Sequence, residues 1–390
     1  MTYYLFNPEN DMALALGQKH YNPPKNIVRF SEDLSMLPLW YAKTGDCVLI
    51  RQEVPDNWLQ AERDQLHLGV SWLPLEQYWR KSDAADLLFP WGWSYTVYNE
   101  WRKKGKSKQW MDCEMIRNLS GRNWVCDVLA IPYIKESVLP AGFVYPQILK
   151  SYESVSSFVL QQQEAVLKAP WSSSGKGLYW ADGTLTPSLK HWVMNVLEQQ
   201  GFVMGEMKCD KVLDFAMEFT CEKHSCSFLG YSFFITENGK YKGNWLESDD
   251  TMERYLETYV DRCQLVEVQH LLQQFFTQHV VGYYQGCLGV DMMIIQQEGV
   301  YYLHPCVEIN LRMNMGVVAH SIYEKYICKK SHGRFYVTSY ATHDELVAFH
   351  AQMKDANPLV FEDGTVKSGY MNLTYIGEQT ISMAYIMVES

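Results

Sequence analysis

Short apolar runs alternate with helical patterns in the first third of the chain. Residues 2–6 form one apolar run, and the following Asn7-Pro8-Glu9 supplies the cap, first-turn proline and acid typical of a helix start. Residues 47–51 form a second apolar run, suited to a buried parallel strand. The sequence FPWGW at 89–93 breaks the pattern and predicts a loop or a lobe boundary. Residues 1–112 are therefore predicted to form an α/β lobe.

The same alternation continues to residue 310, with more strands. It ends in a predicted hairpin whose two strands flank a turn at Gln297-Glu298-Gly299. The preceding elements predicted from apolar periodicity are helices at 111–129 and 155–163, a strand at 164–168, a helix at 185–200, strands at 201–207, 214–221 and 227–235, and a helix at 265–281.

Size and composition indicate a globular protein with several lobes. The chain has 390 residues, and single hydrophobic cores usually stop growing near about 250 to 300 residues. Hydrophobic residues make up 47% and charged residues 20%, which excludes disorder as a serious alternative. The formal charge of −11 disfavours a broad nucleic-acid surface, because that binding depends on clustered cations.

Two features predict a soluble, cytoplasmic protein without a membrane partner. No apolar stretch reaches about 18 residues, and Glu9 and Asp11 lie where a signal peptide needs an apolar core. The 10 cysteines are scattered without a regular framework. We therefore expect reduced thiols rather than disulfides or a zinc site.

Polar and apolar residues alternate in the segment 307–312, which has the sequence VEINLR. The side chains of Glu308, Asn310 and Arg312 project from one face of a strand, because the side-chain period is two. Carboxylate and amide oxygens are ligands that Mg²⁺ prefers, and a guanidinium can stabilise phosphoryl or carboxylate charge. The alternative is an ordinary amphipathic strand with a solvated salt bridge.

Asp291 lies in the preceding strand of the predicted hairpin, within the apolar sequence VDMMII. A lone carboxylate in such a setting is costly to bury. Pairing across the hairpin would bring it to the face that carries Glu308 and Asn310. Two carboxylates and one amide suit one or two Mg²⁺ ions that bridge phosphate oxygens.

A predicted strand ends at Lys168 and is followed by a loop of small residues. Such residues let backbone N–H groups approach phosphates closely, and lysines add compensating charge. The pattern is neither a Walker loop nor a dinucleotide-binding loop, and a flexible connection is the alternative. The loop residues of interest are Ser172, Ser173, Ser174, Gly175, Lys176 and Gly177.

Two further acids, Glu206 in VMGEMK and Glu218 in AMEFT, lie between these signals. Each alone would be interpreted as an exposed acid at a strand end. However, the order of a lysine strand, a small-residue loop, two glutamates, an aspartate strand and E-x-N-x-R resembles the ATP-grasp superfamily over residues 115–320.

The resemblance implies an α/β protein (α+β lobes) with an ATP-grasp fold and an N-terminal α/β pre-grasp lobe. The implied units are an N-terminal lobe at 1–112, a small lobe at 113–205, a large lobe at 206–330 and a C-terminal α/β extension at 331–390. The N-terminal lobe would help to bind substrate, as it often does in the superfamily.

The resemblance also implies a role for each candidate residue. Lys168 and Arg312 would be catalytic, with Arg312 facing the transferred phosphoryl group or the acceptor carboxylate. Asp291, Glu308 and Asn310 would hold Mg²⁺, or Mn²⁺ in its place. The implied ATP-binding residues are Lys168 at the phosphates, the closing loop of Ser172, Ser173, Ser174, Gly175, Lys176 and Gly177, the adenine-reading hinge of Glu206, Met207 and Lys208, and the ribose contact Glu218.

Three features depart from the family pattern. Arg122 stands where the family usually has a further lysine, and its phosphate-binding geometry differs from that of lysine. The interval from Asp291 to Glu308 is long, so a bulge at Pro305 would be needed to align the two acids. The phosphate loop is serine-rich rather than glycine-rich.

Two other candidates have simpler interpretations. His304, next to Pro305, is more typical of a structural histidine and is left out of the site. Asn7, Glu9, Asn10 and Asp11 would be able to line a substrate pocket, although helix capping explains Asn7 and Glu9 without any function.

These residues predict a ligase that uses ATP and Mg²⁺ to activate a carboxylate as an acyl phosphate for attack by an amine. Small-molecule carboxylates and amines are the expected partners, and nucleic acid is not. The sequence leaves open whether the chain forms a homodimer. The alternatives are a phosphotransferase and a non-catalytic nucleotide-binding regulatory protein of the same fold.

Overall fold

The structure, a computed structural model, describes residues 1–80, 87–103, 112–172, 177–237 and 240–390. Its strands are, in chain order, β1 (Thr2–Leu5), β2 (Cys47–Ile50), β3 (Ser71–Pro74), β4 (Leu87–Pro90), β5 (Gln147–Leu149), β6 (Ala165–Lys168), β7 (Leu178–Ala181), β8 (Val203–Met207), β9 (Lys211–Cys221), β10 (Cys226–Ser232), β11 (Phe234–Glu237), β12 (Lys240–Leu246), β13 (Gly286–Gln297), β14 (Val300–Asn310), β15 (His332–Ser339), β16 (Val360–Glu362), β17 (Thr365–Asn372) and β18 (Ser382–Glu389).

Helices connect and cover these strands. None of the helices in the described ranges is both long and apolar enough to cross a membrane. A 3-10 turn covers Leu37–Trp40, and a π-helical turn covers Ile134–Val138. The α-helices are α1 (Asn10–Leu16), α2 (Lys25–Asp33), α3 (Gln60–Gln65), α4 (Leu75–Arg80), α5 (Tyr95–Lys103), α6 (Cys113–Leu119), α7 (Trp124–Leu129), α8 (Tyr152–Gln162), α9 (Pro187–Gln200), α10 (Asp249–Leu256), α11 (Arg262–His279), α12 (Met315–Tyr326) and α13 (His343–Ala356).

The first four strands form a parallel sheet in the order β3-β2-β1-β4. Strand β2 is buried at every position, as the apolar run at 47–51 predicted. The prediction of a loop at 89–93 was wrong for Phe89 and Pro90, which belong to β4. Pro90 is the last residue of that strand and pairs with Leu5, and a strand end tolerates a residue without an N–H.

The start of α1 also differs from its prediction. Glu9 is the N-cap residue and makes no capping hydrogen bond with its side chain. Asn7 does not cap the helix either. Its Nδ2 donates to the Gly92 carbonyl oxygen at 2.9 Å, and the Gly92 N–H donates to Asn7 Oδ1 at 3.3 Å. Asn7 therefore joins the loop after β1 to the loop after β4.

A small antiparallel sheet with the order β5-β8-β6-β7 carries Lys168 at the end of β6. Helices α8 and α9 pack on it and share a separate apolar core with it. The helix predicted at 111–129 is two helices, α6 and α7. The break between them contains the buried side chain of Arg122.

The strands of the predicted hairpin, β13 and β14, belong to an antiparallel sheet with the order β10-β9-β13-β14. Glu298 and Gly299 form the hairpin turn with φ values of 52° and 81°, in the left-handed region that a tight turn requires. The predicted hairpin is confirmed. Helix α11 packs against β9 and β10 on one face of the sheet.

The remaining sheet joins the middle of the chain to its last strands, in the order β11-β12-β15-β18-β17-β16. Strands β12 and β15 are antiparallel, with Trp245 opposite Arg334. This sheet and one face of the N-terminal sheet share a core with α12. All of the cysteines lie in the described ranges as free thiols, as expected.

Candidate functional site

The β13–β14 register places Asp291 directly opposite Glu308. The next aligned pair along the hairpin is Met293 and His304, so β14 has more residues than β13 between these two pairs. Pro305 lies in this irregular stretch, where a residue without an N–H is tolerated. The bulge that the long interval predicted is thus present, and it aligns the two carboxylates.

Asp291, Glu308 and Asn310 line one cavity of about 280 Å³. Burial, together with the neighbouring charges of Glu308 and Glu218, raises the pKa of the Asp291 carboxyl to about 8. Two adjacent carboxylates in a buried setting are unfavourable unless a cation accompanies them. The remaining lining residues are Ser172, Ala216, Glu218, Ser232, Phe234, Thr236, Tyr241, Asn244, Arg312, Asn314, Met315 and Gly316.

The donor set of this cavity suits a hard divalent cation. Carboxylate and amide oxygens are the ligands that Mg²⁺ takes from proteins, with water and phosphate completing its octahedron. Within the part of the chain that the structure describes, no group of three or more His, Cys, Asp and Glu side chains is arranged to hold a metal. A cation at Asp291, Glu308 and Asn310 would therefore need further oxygens from outside the protein.

Arg312 lines the cavity but is already engaged by an acid from the N-terminal region. Its Nε donates to both carboxylate oxygens of Asp11 at 2.9 and 3.0 Å, and its Nη2 lies 2.8 Å from Asp11 Oδ2. Nη2 also donates to Asn310 Oδ1 at 2.9 Å, and Nη1 donates to the Met313 carbonyl oxygen at 3.1 Å. A guanidinium has five N–H bonds, so one of those on Nη1 is left for a ligand.

Arg122 contacts the site more directly than the sequence suggested. Its Nη2 donates to Glu308 Oε1 at 2.8 Å. Its Nη1 donates to the Ala169 carbonyl oxygen at 2.6 Å and to Ser172 Oγ at 2.7 Å. The arginine thus joins the start of the serine-rich loop to a carboxylate of the proposed metal site.

Ser172 and Gly177, the two described ends of the serine-rich loop, approach each other closely. The N–H of Ala169 donates to the Gly177 carbonyl oxygen at 2.8 Å. A Cβ on Gly177 would lie 2.4 Å from the Ser172 side chain, so this position requires glycine. The predicted phosphate contacts Ser173, Ser174, Gly175 and Lys176 lie outside the described residues.

Lys168 and Glu206 form a buried ion pair, with 2.6 Å between Nζ and Oε2. Glu206 Oε1 is also buried and has no hydrogen-bond partner in the described structure. The pair lies close to His304, whose pKa is lowered to about 3 by burial and by the charge of Lys168. The structure therefore brings the predicted phosphate lysine and the predicted hinge glutamate together beside β14.

The two other predicted hinge residues do not line the cavity that contains Asp291. Met207 ends β8, and Lys208 pairs with Glu164 at 2.7 Å on the surface. About half of the Lys208 side chain is exposed. The structure thus separates Met207 and Lys208 from the acidic group of Asp291 and Glu308.

Glu218, the predicted ribose contact, is buried in the cavity that also contains Asp291. Ser232 Oγ and Asn314 Nδ2 each donate to its carboxylate at 2.7 Å, while burial raises its pKa. A Cβ on Gly289 would lie 2.6 Å from Glu218 Oε2, so this glycine leaves room for the carboxylate. Glu218 therefore lies on the same side of the site as the proposed metal ligands.

No family model matches the chain, and no curated protein matches it. The structure resembles N5-carboxyaminoimidazole synthetase from Staphylococcus aureus with a TM-score of 0.51, at 9% identity, covering 100% of this chain and 93% of that one. It also resembles Rhizobium etli pyruvate carboxylase with a TM-score of 0.53, at 10% identity, covering 99% of this chain but 36% of that one. Both are ATP-grasp proteins.

The chain has the ATP-grasp fold. This confirms the predicted superfamily resemblance and the predicted α/β class. At these identities the likeness concerns the fold alone, and the roles of individual residues rest on the geometry of this chain. The domain boundaries stay a prediction.

Several residues of this ATP-grasp site were not singled out from the sequence. The cavity wall opposite Asp291 includes Tyr241 and Asn244 on β12, which give no recognisable motif. Asn314 had a usable signal, because it continues the period-two series of Glu308, Asn310 and Arg312. Its Oδ1 accepts from the Val317 N–H at 2.9 Å and caps α12, while its Nδ2 holds Glu218.

Proposed function

We propose that the chain is a ligase that uses ATP and Mg²⁺ to activate a small-molecule carboxylate as an acyl phosphate for attack by an amine. The single observation that carries this proposal is the register that sets Asp291 opposite Glu308, with Asn310 lining the same cavity. An ATP-grasp fold and a buried lysine beside β14 support it. N5-carboxyaminoimidazole synthetase shares the fold, and a synthetase is the class of enzyme proposed here.

Asp291, Glu308 and Asn310 would hold the divalent cation, Mg²⁺ or Mn²⁺. The raised pKa of Asp291 and its closeness to Glu308 support this role, since a cation would compensate both charges. When bound, the cation would neutralise negative charge on the phosphates of the nucleotide.

Lys168 and Glu206 would contact the nucleotide beside β14, near His304. The buried, unpartnered Oε1 of Glu206 needs a donor, and the amino group of adenine is one. Lys168 would supply positive charge to the phosphates. Ser172 lines the cavity and would begin the loop that covers them, together with Ser173, Ser174, Gly175, Lys176 and Gly177. Glu218 lines the Asp291 cavity, where it would contact the ribose.

Two balanced steps make up the proposed reaction. An oxygen of the substrate carboxylate bonds to the γ-phosphorus, and the bond from that phosphorus to the β–γ bridging oxygen breaks as ADP leaves. The amine nitrogen then bonds to the acyl carbon, and the bond from that carbon to the phosphate oxygen breaks. Phosphate and a proton leave, and an amide forms. Arg122 and Arg312 would stabilise charge on the transferred group, Arg312 through its remaining Nη1 N–H.

A screen of ADP release with pooled carboxylic acids and amines in the presence of Mg²⁺ tests the proposal. We expect ADP only when both pools are present, and none from Glu308→Gln. Asp182→Asn, a change at an exposed turn far from the cavity, is the matched control and should behave as wild type. ADP release with an acid alone would indicate a phosphotransferase. ATP binding without ADP release under any combination would favour a regulatory protein.

A further inference from the structure

Two contacts fix the segment after β14 to the N-terminal parallel sheet. Asp11, in the first turn of α1, holds the guanidinium of Arg312 with both carboxylate oxygens. The Met313 N–H donates to the Trp91 carbonyl oxygen at 2.8 Å, directly after β4. Strands β1 and β4 are neighbours, so the carboxyl edge of this sheet anchors the segment at two adjacent points.

The same arginine reaches a proposed metal ligand. Arg312 Nη2 donates to Asn310 Oδ1 and lies 2.8 Å from Asp11 Oδ2, and the three residues line one small cavity with Glu308. Asp11 accepts from Nε of the same guanidinium, so one planar group joins the carboxylate to the amide oxygen. The position of the Asn310 amide therefore depends on Arg312, and the position of Arg312 depends on Asp11.

We infer that Asp11 is a positioning residue for the metal site, acting through Arg312 on Asn310. This inference rests on the proposed function, because it requires a cation at Asp291, Glu308 and Asn310. It assigns the N-terminal sheet a part in holding the metal ligands. The family resemblance alone suggested a part in binding substrate.

The competing role for Asp11 is direct contact with a substrate. Both of its oxygens already accept hydrogen bonds from Arg312, and the positive charge that a carboxylate needs is supplied by that guanidinium. The side chains of Asp11 and Arg312 are 17% and 18% exposed, so water replaces their contact poorly if it is lost. These two facts favour an internal support over an open binding position.

Mn²⁺ provides a direct test, since binding removes the electron paramagnetic resonance signal of the free ion. The titration is made in the presence of a non-hydrolysable ATP analogue, with wild type, Asp11→Asn, Asn310→Ala and the double variant. We expect Asp11→Asn to weaken Mn²⁺ binding about 10-fold to 100-fold, the effect of losing a group that orients a metal ligand. Asp182→Asn is again the control. In EDTA, the affinity of Asp11→Asn for the ATP analogue should differ from that of wild type by less than about 2-fold.

The double variant identifies the route of the effect. If Asp11 acts through Asn310, Asp11→Asn should cause no further loss of Mn²⁺ affinity in the Asn310→Ala background. An equal loss in both backgrounds overturns the inference. So does an unchanged Mn²⁺ affinity with a raised KM for one substrate, which would make Asp11 a substrate contact. Melting temperatures without metal are measured for each variant. If Asp11→Asn only reduced the amount of folded protein, it would lower Mn²⁺ binding in the Asn310→Ala background as well, which differs from the result expected for the double variant.

The inference and the proposed function can fail separately. Wild type that binds Mn²⁺ but releases no ADP would exclude the proposed reaction and leave the role of Asp11 intact. Wild type that binds the ATP analogue but takes up no Mn²⁺ in its presence would overturn the role of Asp11 at a metal site.

Discussion

Arg122 donates to Glu308 at 2.8 Å, although 186 residues separate them in the chain. Glu308 is a proposed metal ligand, and Arg122 also holds Ser172 at the start of the serine-rich loop. The arginine therefore occupies one of the two Glu308 oxygens that a cation would use. Arg122 and the cation must share or exchange Glu308 when the site fills.

Arg122→Ala should separate metal binding from turnover. Removing the arginine releases Glu308, and the Mn²⁺ affinity of the nucleotide-free chain should rise about 10-fold or more, the lower end of the scale for one hydrogen bond to a charged group. Turnover should fall on the order of 100-fold, because a preorganised positive charge is lost. Electron paramagnetic resonance and ADP release measure the two effects. If both quantities fall together, Arg122 instead holds Glu308 in its ligand position, and Arg122→Lys should then restore part of each.

Asp291→Asn should stabilise the metal-free chain while it removes metal binding. With its pKa raised to about 8, Asp291 must hold a proton beside Glu308 at neutral pH, whereas asparagine has nearly the same shape and avoids both that proton uptake and the carboxylate repulsion behind it. We expect a rise in melting temperature of at least about 2 °C in EDTA, which corresponds to roughly 1.6 kcal/mol for a chain of 390 residues that unfolds as one unit. Mg²⁺ should raise the melting temperature of wild type but not of the variant. A variant that melts below wild type in EDTA would contradict the carboxylate repulsion.

The Lys168–Glu206 pair should show strong coupling in unfolding. Both side chains are more than nine-tenths buried, so removing one leaves an uncompensated buried charge. Lys168→Met should lower the free energy of unfolding by about 3 to 5 kcal/mol. Adding Glu206→Gln should recover on the order of 2 kcal/mol, because the second charge then leaves as well. Additive losses in denaturant unfolding would show that the pair does not interact as its distance implies.

His304 should make the fold sensitive to acid. Its pKa is lowered to about 3 by burial, so the folded chain keeps it neutral while the unfolded chain binds a proton below pH 6.5. Its contribution to stability is complete above pH 6.5 and declines as the pH falls toward 3, by up to about 1.4 kcal/mol per pH unit. Denaturant unfolding of wild type and His304→Gln at pH 7, 6 and 5 measures this slope. Parallel pH dependences would mean that His304 is protonated in the folded chain.

The sequence predicted the hairpin well because its signals are local. Three local features together specify how Asp291 pairs with Glu308. They are the period-two alternation, the left-handed turn at Glu298-Gly299 and the surplus of residues around Pro305. The ATP-grasp fold followed from the order of these motifs. The prediction of a loop at Phe89 and Pro90 was wrong, because a proline at a strand end interrupts the apolar pattern in the same way as a loop does.

The contacts of the arginines could not be predicted in this way. Arg122 and Arg312 each bind an acid from a distant part of the chain, and no periodicity relates Arg312 to Asp11. Long-range side-chain pairs depend on how the sheets pack, and sequence spacing does not specify that packing. The Lys208–Glu164 pair is a further contact of this kind, since 44 positions separate its two residues and the motif around Lys208 does not indicate it.

Strand β12 pairs with β15, whose residues lie about ninety positions later in the chain. Every proposed metal ligand has been synthesised once residue 310 has left the ribosome, but β12, which carries Tyr241 and Asn244, still lacks β15, one of its two neighbouring strands. A nascent chain therefore carries the ligands before it has an enclosed cavity. Because a long segment must be ordered before this pairing forms, the cavity should close late in folding. Enclosure of the site thus depends on a strand that is translated after all of the proposed metal ligands.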